Sequence, residues 1–494
     1  MCESCEAGDL RRREFLAISG AVGASAMLTS AAGAQPAADS VAMPPIEKKP
    51  ARVLAAFLYP PLEVVNAGQM EDHWAPKQWS TWPGNQFVPE VQQRKFTAKI
   101  QEMAKALGIE VEFVPQSIYQ QAKAEEFIAR AKQAAPDAVL IVNFWNTLSK
   151  MSYDLATQSA PTAIVYHALG ANHQLPPESL RTAEGLYYIH SMENFDEIER
   201  GLRAVRAKKM LAQSRLLRVS GKVEALDQSR EKTLDVDVVH IPADELNAIF
   251  DSIATDAALE KEAMEFKKQA LGVTDVDDAY FVDAMRAHRA VHQIVDRYGA
   301  DAITIECLML KHRKPCVSFA LNNGALLPCG CENDLNASLT LMLGRWLLDR
   351  AGFQHNPEFD TSENRYYGAH CTCALALHGP QAQRQQFAVR PFFHQLPKTA
   401  ALDVQWTPDE PILVTKYHSG KDTLSCWTGK VIESPASPPT GGCATRVLMD
   451  IDRVDDVCSI YGGPHPALYC GDRGDARRYK AFAKMYRLTL EGNV

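Results

Sequence analysis

A chain of 494 residues is long enough for two or three domains with complete hydrophobic cores. Its composition, 46% hydrophobic and 23% charged, is that of an ordinary soluble globular protein. The net charge of −8 argues against a nucleic-acid partner, because proteins that bind a phosphate backbone usually present a basic face. We therefore expect neither RNA nor DNA as a partner.

The N-terminus has the pattern of an export signal. Arg11 and Arg12 precede a mildly apolar stretch that ends in an Ala-Gly-Ala site at residues 32–34. An amphipathic first helix is the alternative. We predict a twin-arginine signal peptide over residues 1–34, a linker over residues 35–50 and a periplasmic mature protein. No later stretch has the roughly 20 apolar residues of a membrane helix, so we expect no membrane partner after cleavage.

The next part of the chain alternates between strand and helix patterns, and it is predicted to form an N-terminal α/β domain over residues 51–217. The predicted strands are Val53–Tyr59, Glu110–Val114, Ala138–Phe144 and Thr162–Tyr166, and the predicted helices are Phe96–Leu107 and Glu125–Ala134. Strands separated by helical stretches of this length indicate parallel βαβ units.

A second α/β domain is predicted over residues 218–378. Its predicted strands are Val238–Ile241, Ala302–Ile305 and Cys316–Ala320; its predicted helices are one from Asp244, two within Ala257–Tyr298 and one that begins around Asp334. Beyond it the pattern changes to shorter strands separated by Gly, Pro and Ser, at Ile412–Tyr417, Lys430–Glu433 and Thr445–Ile451. We predict an α/β fold with two Rossmann-like open parallel-sheet domains, followed by a mainly antiparallel β domain over residues 379–494.

Three side chains that could bind a metal lie at the predicted ends of strands or helices or in a turn. Glu306 follows an apolar strand, and strand ends of α/β sheets are where ligands bind. Asp334 is expected in the first turn of a helix, where backbone amides and the helix dipole favour a carboxylate. His465 lies in the turn at residues 462–466, Gly-Gly-Pro-His-Pro. These residues suggest a metal site at the junction of the second and third predicted domains.

These motifs are similar to those of the L-fucose isomerase and L-arabinose isomerase superfamily. The fucose enzymes carry a Glu-Asn-Asp helix start like residues 332–334, and the arabinose enzymes carry a Gly-Ala-His like residues 368–370 and a Gly-Gly-x-His like residues 462–465. The resemblance implies that Glu306, Asp334 and His465 are metal ligands, and it gives Glu306 and Asp334 a catalytic role. His370 is a fourth ligand in the arabinose-like version, and Glu332 competes with Asp334 for its place.

Each residue also has an ordinary structural interpretation. Glu306 could be an exposed glutamate at a strand end, and residues 332–334 could be a plain helix start with no other role. His465 could belong to a surface turn, and His370 could be a packed histidine. The close spacing of Cys329 with Cys331, and of Cys371 with Cys373, is not that of a structural zinc site, so we expect buried thiols there.

The resemblance implies a metal-dependent aldose–ketose isomerase that acts on a small sugar. Oxygen ligands with one or two imidazoles suit a divalent metal, most readily Mn²⁺. The resemblance also implies a homo-oligomer, a trimer or a hexamer. Two alternatives stay open: a periplasmic sugar-binding or sensing protein without turnover, and a metal-dependent epimerase or lyase that acts on an oxidised sugar.

Overall fold

The computed structural model describes residues 42–68, 88–168, 176–363, 365–392, 399–436, 442–451 and 465–494. The predicted signal peptide and the glycines and proline of the turn before His465 lie outside these ranges. The α/β class is confirmed, with two largely parallel sheets followed by antiparallel strands. Within the described ranges, no helix is both long and apolar enough to cross a membrane.

The first sheet has five parallel strands in the order β2-β1-β3-β4-β5. The strands are β1 (Arg52–Leu58), β2 (Glu110–Phe113), β3 (Ala138–Asn143), β4 (Ala163–Ala168) and β5 (Leu186–Ser191). The helices are α1 (Leu62–Ala67), α2 (Pro89–Leu107), α3 (Gln121–Ala134), α4 (Ser149–Ser159), α5 (Glu178–Thr182) and α6 (Phe195–Ala212). Every residue of β3 is buried, as expected for an inner strand of a sheet covered on both faces.

The second sheet also has five strands, in the order β10-β9-β6-β8-β7. The strands are β6 (Arg215–Ser220), β7 (Asp227–Glu231), β8 (Val236–Pro242), β9 (Ala302–Ile305) and β10 (Cys329–Cys331). The helices are α7 (Ala243–Ser252), α8 (Ala257–Lys267), α9 (Asp278–Arg297) and α10 (Cys316–Gly324). All pairings are parallel except the edge pair β7–β8.

One predicted strand is wrong: Cys316–Ala320 is the beginning of helix α10. The helix begins directly after Pro315 and is buried on nearly all sides, so its sequence is a short continuous apolar run. Such a run does not distinguish a buried helix from a buried strand by periodicity. The strand beside β9 is instead β10, a three-residue segment of Cys, Gly and Cys that the sequence pattern did not indicate.

The third sheet has eight strands and contains most of the C-terminal part of the chain. Its order is β11-β19-β16-β17-β18-β13-β12, and β20 pairs in parallel with β17 while the other pairings are antiparallel. The strands are β11 (Phe353–Gln354), β12 (Asn356–Asp360), β13 (Arg365–His370), β16 (Pro411–His418), β17 (Thr423–Glu433), β18 (Thr445–Ile451), β19 (Ala467–Cys470) and β20 (Thr489–Gly492). A separate antiparallel pair consists of β14 (Phe387–Pro391) and β15 (Ala400–Val404).

Two helices join this sheet to the rest of the molecule. Helix α11 (Leu335–Leu348) follows β10 and packs on β16, and α12 (Arg473–Met485) packs against α6 and β17. One apolar cluster runs from the first sheet through α11 to α12. Helix α11 therefore lies between the two parallel sheets and the eight-stranded sheet, and its N-terminus opens onto the site described below.

Candidate metal centre

Glu306 and Glu332 directly follow two paired strands of the second parallel sheet. Strand β10 pairs with β9 so that Cys331 lies opposite Ile305, and the next residues are Glu332 and Glu306. The Glu306 carboxylate accepts hydrogen bonds from Ser220 Oγ at 2.6 Å and from the Gly221 amide at 3.1 Å. The end of β6 therefore fixes Glu306 at the carboxyl edge of the sheet, where ligands of parallel sheets bind.

The chain turns sharply from β10 into α11. Glu332 and Asn333 have φ angles of 60° and 55°, in the left-handed region that side chains other than glycine rarely adopt. Arg218 holds this turn by donating to the Asn333 side-chain oxygen at 2.9 Å and to its carbonyl at 3.0 Å. Residues in such conformations cost about 1–3 kcal/mol each, and they persist only where the surrounding structure fixes them.

Asp334 is the N-cap of α11 and lies one position before the predicted first turn. Its Oδ1 accepts from the Ala337 amide at 3.0 Å, and its Oδ2 lies 2.9 Å from His465 Nδ1. Burial alone would raise the pKa of Asp334, but the hydrogen bonds from His465 and Ala337 outweigh burial and lower it. Asp334 is therefore ionised at neutral pH, and His465 carries its proton on Nδ1.

His465 presents its second nitrogen to Glu332. The residue directly precedes Pro466 and β19 and is only 2% exposed. Its Nε2 lies 3.6 Å from Glu332 Oε2 and accepts no hydrogen bond from the described part of the chain. A buried nitrogen lone pair without a donor costs free energy, and a metal ion would satisfy it.

His370 approaches Glu332 from the end of β13. Its Nε2 lies 3.7 Å from Glu332 Oε1, and its Nδ1 lies 3.2 Å from Thr372 Oγ1. The rings of His370 and His465 are nearly perpendicular, with centroids 5.5 Å apart. Burial disfavours the imidazolium of His370, but Glu332 outweighs burial and raises the pKa of His370. The neighbouring His370 in turn lowers the pKa of Glu332, which stays ionised.

One ligand atom from each of Glu332, His370 and His465 lies within 4.8 Å of the other two. This group can hold a metal ion. Of the five predicted ligands, these three converge, Asp334 binds the opposite nitrogen of His465, and Glu306 lies at the adjacent strand end. The carboxylate that faces both histidines belongs to Glu332, whereas each oxygen of Asp334 already accepts a hydrogen bond.

Lys416 also belongs to the surroundings of the site, although no sequence motif indicated it. It lies in β16 and is 1% exposed. Burial lowers the pKa of Lys416 to about 8, although the Asp334 carboxylate opposes this shift. A lysine in an antiparallel strand is ordinarily expected to face solvent. Its position beside Asp334 follows from the pairing of β16 with β19 and from the contact of β16 with α11, which the sequence does not reveal.

A comparison with protein-family models and one with curated proteins find no match to this chain. Among solved structures, the chain is similar to one titled XylFII molecule, with 12% identity over 52% of this chain and 80% of that chain and a TM-score of 0.16. It is also similar to a XylFII-LytSN complex, with 13% identity, the same coverages and a TM-score of 0.16. Likenesses at this TM-score carry no argument about fold or function.

Proposed function

We propose that this protein is a metal-dependent aldose–ketose isomerase of the L-fucose and L-arabinose isomerase type, acting on a small sugar. The observation that carries the proposal is the convergence of Glu332, His370 and His465, with the buried Nε2 of His465 directed at the Glu332 carboxylate. In this proposal the two parallel sheets are Rossmann-like, the chain is exported to the periplasm by its twin-arginine signal, and it assembles as a trimer or hexamer.

The residues around this group fit a hard or borderline divalent ion. One carboxylate and two imidazoles would hold the metal, with Glu306 available from the adjacent strand end. Mn²⁺ is the ion we propose, because carboxylate ligands suit it and these residues include no thiolate. When bound, such an ion would hold neighbouring sugar oxygens and polarise the carbonyl group.

Proton transfer and the orientation of the ligands are assigned to residues of the chain. Isomerisation moves a proton between C1 and C2 of the sugar and needs a carboxylate that can accept and return it. We assign that role to Glu306, whose Oε2 is oriented by Ser220 and Gly221. Asp334, predicted as a second catalytic carboxylate, is better suited to orient His465, since both of its oxygens are engaged.

The test is solvent deuterium uptake by pentoses, 6-deoxyhexoses and uronic acids, incubated with the Mn²⁺-loaded protein and followed by NMR. We expect uptake at C1 or C2 of one sugar together with formation of its ketose. The Glu306→Gln variant should lose roughly 10²–10⁴ in rate, the usual contribution of a general acid–base group. Glu358→Gln, which changes an exposed glutamate of β12, is the matched control and should retain full activity.

The outcomes separate the proposal from its alternatives. Sugar binding without deuterium uptake would favour a binding or sensing protein, and uptake by a uronic acid without ketose formation would favour an epimerase or lyase. Full activity in Glu306→Gln would contradict the assigned role of that carboxylate.

A further inference from the structure

A second group of ligand-type side chains lies at the opposite end of β19 from His465. It consists of His378 in the loop after β13, Glu410 directly before β16, and Cys470, the last residue of β19. One ligand atom of each lies within 4.8 Å of the other two, and His378 Nε2 is 3.4 Å from Glu410 Oε1. The positions of Glu410 and Cys470 are fixed by the sheet, because Ile412 of β16 lies opposite Cys470.

The spacing and the donor types match those of a zinc site. Around a tetrahedral Zn²⁺ with bonds of about 2.0–2.3 Å, ligand atoms lie about 3.3–3.8 Å apart. The distance between His378 Nε2 and Glu410 Oε1 already lies in this range, and the thiol would have to move closer by about 1.5 Å at most. Imidazole, carboxylate and thiolate are the three side-chain ligands that zinc takes in proteins.

The three side chains differ in exposure, from a buried thiol to a partly exposed imidazole. Cys470 is 1% exposed, the Glu410 side chain 23% and the His378 side chain 39%. An ion can therefore enter past His378 and reach the thiol at the base of the group. Burial, with the Glu410 carboxylate adding to it, raises the pKa of the Cys470 thiol, so an ion that binds there must displace the thiol proton.

We propose that His378, Glu410 and Cys470 form a second metal site that takes Zn²⁺, with water as the fourth ligand. Binding would release one proton from the thiol and leave the site electrically neutral, since one carboxylate and one thiolate balance the ion. This site does not depend on the proposed isomerase activity.

The second site is linked along the chain to both histidines of the first. His378 lies eight residues after His370, and Cys470 lies five residues after His465 at the other end of β19. An ion held by His378 and Cys470 would tie the loop that follows His370 to the strand that follows His465. Zinc would therefore stabilise the arrangement that directs both histidines toward Glu332, from about 17 Å away along β19.

The test uses Co²⁺ as a spectroscopic substitute for Zn²⁺ in the full-length mature protein. A cobalt–thiolate bond gives an intense near-ultraviolet charge-transfer band, which carboxylate and imidazole ligands do not produce. We expect this band in the wild type, its loss in Cys470→Ser, and at least a tenfold weaker Co²⁺ affinity in His378→Ala. His378→Ala changes a partly exposed loop residue, so it gives a readout even if Cys470→Ser folds poorly.

Two controls assign the band to this site. Cys426→Ser changes another buried thiol of the same sheet and should keep the band. Glu332→Gln should also keep the band, but it should weaken Mn²⁺ binding at the first group. Absence of the band in the wild type, or an unchanged band in Cys470→Ser, would overturn the second site and leave His378 and Glu410 as a surface ion pair only. Either result leaves the first metal centre unaffected.

Discussion

The two nitrogens of each histidine at the candidate metal centre have different partners. In His465 the Nδ1 donates to Asp334 and the Nε2 faces Glu332; in His370 the Nδ1 lies beside Thr372 and the Nε2 faces Glu332. Partners on the far nitrogen of a metal-binding histidine fix its tautomer and its ring orientation. Glu332 is thus placed between two imidazoles whose Nε2 atoms both face it.

Replacing Asp334 with Asn tests this division of roles. The amide keeps the shape of the side chain and can still cap α11, but it removes the charge that holds the Nδ1 proton of His465. We expect Mn²⁺ affinity to fall about 10–100-fold with little change in folding, the usual effect of losing such a partner. Isothermal titration of the purified variant with Mn²⁺ measures this.

The matched control is Asp256→Asn, which changes the N-cap of α8, far in the chain from Glu332, His370 and His465. Its Mn²⁺ affinity should equal that of the wild type. An unchanged affinity in Asp334→Asn would show that His465 does not need its carboxylate partner.

The ligand-type residues were identifiable from the sequence, but their pairing was not. A carboxylate after an apolar strand, a helix start and a histidine between prolines all indicate functional positions. The choice between Glu332 and Asp334 depends on the two left-handed residues of the turn, Glu332 and Asn333. Asn tolerates this conformation, but a glutamate side chain does not predict it. Lys416 was missed because its burial depends on the contact between β16 and α11.

At the scale of elements, the site depends on how closely α11 approaches β10. The approach is close at Gly330, where an added Cβ would lie 2.1 Å from Ser338 Oγ and 3.1 Å from Ser338 Cβ. Ser338 cannot easily rotate away, since its hydroxyl donates to the Asp334 carbonyl at 2.7 Å. The glycine therefore permits the tight strand-to-helix turn that carries Glu332 and Asp334.

We expect Gly330→Ala to destabilise the protein by roughly 1–3 kcal/mol, the usual cost of overpacking a core. It should also weaken Mn²⁺ binding, because the added methyl displaces the start of α11. Urea unfolding followed by circular dichroism gives the first quantity. Adding Ser338→Ala removes the closest atom and should recover part of the stability; a Gly330→Ala variant as stable as the wild type would contradict the close approach.

In the first part of the chain, strands β1 to β4 and helices α2 and α3 were predicted, because their periodicities are regular. Helix α2, for example, begins at Pro89 and ends before Gly108, which adopts a φ of 64°. Strand β5 and helices α1, α4, α5 and α6 were not predicted. Near the site, α10 was predicted as a strand because its first residues form a short apolar run without a helical period, and β10 is too short to show any period.

At the scale of the whole molecule, the site forms where the second parallel sheet meets the eight-stranded sheet. Glu306 and Glu332 leave the parallel sheet, whereas His370 ends β13 and His465 precedes β19 of the other sheet. The sequence indicated antiparallel strands at the C-terminus but not their order, which depends on contacts between distant segments. The predicted domain boundaries stay predictions.

Asp349 links helix α11 electrostatically to helix α6, which packs on the first parallel sheet. It ends α11 with a φ of 52° and accepts hydrogen bonds from Arg203 and Arg206 of α6. Burial would raise the pKa of Asp349, but the charges of Arg206 and Arg203 outweigh it and lower the pKa. A carboxyl whose pKa is lowered in the folded state adds stability above its unfolded pKa of about 3.9 and loses it as the pH falls.

We therefore expect Asp349→Asn to be less stable than the wild type by about 1 kcal/mol at pH 7, since the side chain is 41% exposed and its ion pairs are screened. Asn tolerates the left-handed conformation, so the change isolates the charge. The difference should shrink as the pH falls below about 4, because the carboxyl of the unfolded chain protonates first and the folded carboxyl, with its lowered pKa, follows at lower pH. Thermal unfolding across this pH range measures both effects.

The control for this comparison is Asp409→Asn, which removes a solvent-exposed pair with Lys430 at a residue with a left-handed φ of 61°, and it should change stability little at any pH. A destabilisation of Asp349→Asn that does not depend on pH would contradict the electrostatic link.

The central claim is that Glu332, His370 and His465 hold one divalent ion between the two sheets. Crystals grown with Mn²⁺ and measured at the manganese absorption edge test it most directly. We expect one anomalous peak per chain, at about 2.0–2.3 Å from a Glu332 oxygen and from the Nε2 atoms of both histidines. A map with no peak there, while manganese binds elsewhere on the chain, would show that these three residues do not form the metal site.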